Sequence, residues 1–198
     1  MFISIISFPA TVAGMYNIEV NLDGVLSFER TRHISPSIID TSSVQIISAS
    51  TSVVAGTEGQ FSIRVQDVFG NRMCTSFEPC TEPPSPVFLL EHKTSSTVPG
   101  LATFDKVQSS FVCTYTATVA GTYTISLTMS DRAVVFRPTP YVDIVPHKAN
   151  APSFLFLLDP FYVVGTFSLS MKARDMFLNN ISVGGESVQV RYKLYDTQ

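Results

Sequence analysis

The string ATVAGMYNIEV at residues 10–20 returns as ATVAGTYTISL at residues 117–127, with five identical residues, then Tyr in the seventh place and Ile in the ninth. The two copies start 107 residues apart, and a second pair, DVFGN from Asp67 and DMFLN from Asp175, starts 108 residues apart. Two unrelated strings with one spacing describe an array of units of about 110 residues rather than a single domain. On this phasing residues 1–36 are the back part of one unit, 37–147 a whole unit and 148–198 the front part of another, so the chain reads as a window on a longer array.

Within the whole unit the pattern is that of strands. QFSIRVQD puts Phe61, Ile63 and Val65 on one face and Ser62, Arg64 and Gln66 on the other, and FVCTYTA does the same with Phe111, Cys113 and Tyr115. GTYTISLTM continues with Tyr123, Ile125 and Leu127 inward, closed by a hairpin turn at residues 129–132; the equivalent turn in the first unit carries Asp23-Gly24. Further strands are expected at SVQIISAS, PVFLLEHK, LATFDKV and TPYVDIVP, seven in all, which argues a two-sheet sandwich of Ig-like topology. The repeated Ala-Gly falls between two strands, at a corner where the chain crosses from one sheet to the other.

VAGTEGQFSIRVQDVFGN, SSFVCTYTATVAGTYTISL and RPTPYVDIVP together resemble the filamin-type immunoglobulin-like repeat, over the whole of 37–147. VGGESVQVRY at 183–192 resembles the start of that repeat's third strand. The sequence departs from the repeat at Leu178, which stands where the D-x-x-G-N pattern has Gly, at LSFERTRHISPS, which lacks the S-P-F strand, and at MCTSFEPCTEPPS, an insertion before strand three. The fold class implied is all-β, tandem Ig-like sandwiches, one complete and two partial.

Little in the chain is suited to catalysis. His33, His92 and His147 lie far apart and read as solvated strand-end residues, with no second ligand at metal spacing. No G-x-S-x-G elbow and no phosphate-cradling glycine loop occurs. Asp67 and Asp175 recur, but a lone carboxylate at a strand end has no acid, base or metal partner and is better suited to fixing a turn toward Asn71 or Asn179. No catalytic, metal or cofactor-binding residues are therefore assigned, and the chain is not expected to be an enzyme. Thirteen Lys and Arg against sixteen Asp and Glu, a net charge of −3 without like-charge blocks, give nucleic acid nothing to bind. No apolar run approaches the ~18 residues of a membrane helix, and MFISIISF, with no basic residue before Arg30, reads as a core strand rather than a signal peptide. Of the three cysteines, Cys113 falls on the buried face of its strand, while Cys74 and Cys80 bracket the insertion in what reads as a surface loop, close enough for a local bridge.

A structural or protein-interaction role remains. The resemblance implies a segment of a multi-repeat rod or scaffold, cytoplasmic and cytoskeletal, with actin engaged through domains outside this chain. The alternatives are an extracellular cell-surface adhesion protein, for which the NIS sequon at 180–182 would be a glycan acceptor, and accessory repeats of a larger signalling protein or enzyme. Repeats of this type bind partners by adding an extended peptide to the edge of strand three. The matching segment here holds Val87, Phe88, Leu89 and Leu90, with alternate side chains forming a pocket wall and Glu91 and Lys93 setting register at the rim. Such an apolar run on an edge must be either covered within the protein or used.

Overall fold

The computed structural model describes residues 7–74, 82–94, 97–157, 170–182 and 189. The first described elements are β1 (Gly14–Leu22) and β2 (Val25–Ile34), an antiparallel hairpin whose two-residue loop has Asp23 and Gly24 both at positive φ, 50° and 80°. That is the turn whose twist matches paired strands, and Asp-Gly is among the sequences that tolerate it best.

Among the described residues ten strands make up the central unit: β3 (Gln45–Ala49), β4 (Ser52–Val54), β5 (Glu58–Arg64), β6 (Val87–His92), β7 (Thr97–Pro99), β8 (Leu101–Asp105), β9 (Ser110–Thr116), β10 (Gly121–Met129), β11 (Arg132–Val134) and β12 (Tyr141–Val145). One sheet has the order β3-β5-β9-β8; the other runs β4-β12-β10-β6-β7, with β11 also on β10. Beyond it lie β13 (Leu155–Leu157) and β14 (Ser170–Lys172), paired antiparallel. The fold is an all-β, Ig-like sandwich.

The period-2 pattern explains the core. Phe61 and Ile63 on β5 and Phe111, Cys113 and Tyr115 on β9 are buried against Phe88 and Leu90 on β6, Tyr123, Ile125 and Leu127 on β10, and Val142 and Ile144 on β12. Phe61 and Phe88 meet across the sheets edge to face, ring centres 4.9 Å apart at 79°, the arrangement aromatic quadrupoles favour. Truncating either ring to Ala removes about 3–5 kcal/mol of packing.

The structure corrects the sequence-based expectations in several places. β6 is not an edge strand: β7 pairs with it at Leu89↔Pro99, Leu90↔Val98 and Glu91↔Thr97. Pro99 cannot donate to a ladder, and the outer position of β7 is where that is tolerated. β4, β7 and β11 are three residues each, too short to show alternation, which is why the sequence pattern yields only seven strands. Cys74 is buried, not on the surface, and its N–H donates to Ser109 Oγ at 3.3 Å. His92 is half-buried, its ring centre 4.9 Å from that of Tyr123 and tilted 39° to it, rather than solvated. The strand expected in 183–192, most of MFISIISF, and Cys80 lie outside the described residues.

Candidate functional site: the joint between units

The two recurring strings meet. Residues 117–120 carry the chain from β9 in one sheet to β10 in the other, and Tyr123 fastens this corner by donating its hydroxyl to Val119 O at 2.9 Å. Tyr16 does the same to Val12 O at 2.7 Å. A tyrosine that ties its own corner four residues back is a recurrent device of Ig-like sandwiches.

The second string makes a turn around its carboxylate. Asp67 Oδ1 accepts from the N–H of Phe69 (2.9 Å) and Asn71 (2.8 Å), while Oδ2 accepts from Asn71 Nδ2 (2.9 Å) and from the N–H of Ser37 (2.9 Å), in the segment that enters the central unit. Asn71 then reaches across to the preceding hairpin. Its Oδ1 accepts from Ala13 N–H at 2.9 Å and its Nδ2 donates to Thr11 O at 2.9 Å. The amide oxygen and both amide hydrogens are thus engaged.

Every bond recurs at the far end of the central unit. Asp175 accepts from Phe177 N–H (2.9 Å), Asn179 N–H (2.9 Å), Asn179 Nδ2 (2.9 Å) and His147 N–H (2.8 Å). Asn179 Oδ1 accepts from Ala120 N–H and Nδ2 donates to Thr118 O, both at 2.7 Å. Both strings therefore recur because each forms half of one joint: T-V-A-G offers a backbone carbonyl and N–H, and D-x-F-x-N in the next unit takes both. The aspartates fix turns, as their place at strand ends suggests, and they also hold the connecting segment.

Asp67 and Asp175 are 1% and 0% exposed. Burial alone would push their carboxyls up, but the Asn side-chain amide and three backbone N–H groups favour the charged form more strongly, and both sit below the ordinary aspartate range. Burial pushes the Cys113 thiol up to about 12, so it is an inert core residue. Cys74 is disulfide-bonded, whereas Cys113 is free. Among the described residues no group of three His, Cys, Asp or Glu is placed to hold a metal ion, and no helix is long and apolar enough to cross a membrane.

The residues expected at a peptide-binding edge are divided by the sheet. Phe88 and Leu90 point into the core and cannot wall a pocket for a partner; Val87 and Glu91 are exposed, Leu89 is half-buried, and Lys93 lies exposed beyond the strand. Glu91 accepts from Ser126 Oγ at 2.8 Å. Sequence reasoning missed Asn71 and Asn179 as inter-unit ligands, although their place in a string repeating at nearly the corner's period was the available signal.

No family model and no curated protein matches the chain. Among solved structures, the Escherichia coli adhesin FdeC aligns over 86% of this chain and 53% of its own at 15% identity, with a TM-score of 0.60. Invasin, a bacterial integrin-binding protein, aligns over 86% of this chain and 34% of its own at 19% identity, TM-score 0.55. The Lin-41 filamin domain aligns more loosely, TM-score 0.44 at 16% identity, over 55% of this chain and 97% of its own. The chain thus spans about half of the FdeC structure and a third of the invasin structure. The similar proteins are adhesion and structural Ig-like proteins, and the likeness is one of fold.

Proposed function

We propose that this chain is a segment of a non-enzymatic rod of filamin-like Ig units, with boundaries near residues 36 and 147, displayed on a cell surface. The doubled joint carries the rod: the same six side-chain bonds build the turn and its clasp at either end of the central unit, and two of them at each end run from the Asn side chain to the corner of the preceding unit. A joint that fixes successive units supplies length and repeated surface, which an array needs and an active site does not.

Placement at the surface has three supports. FdeC and invasin share the fold. Cys74 is in a disulfide, the state an oxidising compartment maintains. Asn180 of the sequon is exposed beside the second joint, where a glycan could be accommodated. The cytoskeletal, actin-linked reading has only the resemblance of the sequence behind it. A partner strand at Val87–His92 would have to displace Thr97–Pro99, so strand addition at this edge is an exchange rather than a simple docking.

The test is protease treatment of intact cells producing the epitope-tagged protein, with Cys74 trapped by alkylation before lysis. Cleavage from outside and an oxidised Cys74 are expected. A tag wholly protected until the cells are opened would overturn the surface placement.

A further inference from the structure

At the second joint the polar clasp is accompanied by an apolar contact. Phe177 lies against Gly56 so closely that a β-carbon there would have no room, and Gly56 itself has φ +78°, which strongly favours glycine. Gly56 N–H donates to Ala117 O at 2.8 Å, so the turn Val54–Thr57 and the corner that Asn179 grips form one continuous surface. Phe177 is half-buried there, packed against the central core. Phe69 holds the same place in the first joint but is 55% exposed, with the corner at residues 10–13 beside it and, among the described residues, no glycine turn beneath.

We infer that the glycine turn and T-V-A-G corner of a unit form a socket for the D-x-F-x-N turn of its successor, with Asn reading corner backbone and Phe as the anchor in the hole over Gly. This rests on the reading of the chain as a row of units and names what one unit recognises in the next. Asn contacts only main-chain atoms of the corner, so it accepts any corner of that shape; the aromatic ring over a residue without a side chain is what discriminates. A unit with any larger residue at the place of Gly56 would reject a Phe-bearing successor.

Amide exchange of the whole chain, monitored by NMR, tests this through two reporters: Ala120 N–H, which Asn179 accepts, and Ala13 N–H, which Asn71 accepts. Phe177→Ala should accelerate Ala120 exchange by about tenfold or more, because loss of a packed ring lowers the local opening free energy. Phe177→Leu should recover part of the protection. Phe69→Ala should leave Ala13 within about twofold, since its ring is exposed in this chain. Protected amides in β5 and β9 report that each variant is folded. Unchanged Ala120 exchange in folded Phe177→Ala, or equal acceleration of Ala13 by Phe69→Ala, would overturn the socket. Neither result bears on whether the protein lies at a cell surface, which the protease experiment decides separately.

Discussion

The two joints of this molecule use the same bonds but different packing. At the first, Asn71 grips the corner of the preceding hairpin while Phe69 stands exposed and Gly70 makes the turn at φ 83°. At the second, Asn179 grips the central corner, Phe177 is seated over Gly56, and Leu178 takes the turn at φ 69°. The polar clasp has the same bonds at both joints, beside an exposed ring at the first and a seated ring at the second. The clasp sets which backbone atoms meet, and the anchor adds the desolvated contact that holds them.

The largest expected effect separates the joints by their place in the chain. Asp67→Ala strands four donors, three in the connection between β5 and β6 and the N–H of Ser37 ahead of β3, and should cost the central sandwich about 3 kcal/mol. Asp175→Ala strands the equivalent donors outside that sandwich and should leave its main unfolding transition within about 1 kcal/mol while freeing the second joint. Urea unfolding measures the difference, and alkylation of buried Cys113 reports whether the sandwich itself has opened. Equal losses in the two variants would mean that the central unit and its successor unfold as one body.

Acid should weaken both joints together. Each carboxyl titrates below its ordinary value in the folded chain, so its contribution to stability is complete above the unfolded-chain pKa of about 3.9 and is lost as pH falls through the lower folded value. A titration of the Ala13 and Ala120 amide shifts from about pH 6 to about pH 2 should show both moving below about pH 4. A shift confined to one amide would break the equivalence of the two clasps.

The smallest effect concerns the turn. Leu178 sits in the left-handed region, where a β-carbon costs about 1–2 kcal/mol, so Leu178→Gly should tighten the second joint by up to about 1 kcal/mol. Gly70→Leu should weaken the first by a similar amount, read as slower and faster exchange of Ala120 and Ala13 respectively.

The alternation of Phe61, Ile63, Phe111, Cys113 and Tyr115 is a local property of the chain, so the sandwich and its inward faces were legible in the sequence. The repeat spacing exposed the array for the same reason. The joint was not legible because its bonds run from a side-chain amide to main-chain atoms 58–61 residues away, and main-chain partners leave no mark in residue identity. The cover over β6 was hidden by brevity, since Thr97–Pro99 is too short for a pattern and contains a proline that argues against a strand. Phe88 and Leu90 belong to a continuous apolar run that obscures their facing, although alternation alone puts them on the core side.

One pairing has a bearing on how such a rod would behave under tension. β4, near the start of the central unit, and β12, at its end, lie side by side and parallel, paired Asp143↔Ser52 to Val145↔Val54. The ladder is extended by Ala55 N–H donating to Val145 O and Asp143 N–H to Thr51 O. Pulling the two ends of the unit apart slides these strands lengthwise past each other, so their hydrogen bonds resist in shear and share the force, instead of parting one by one as in a peeled hairpin.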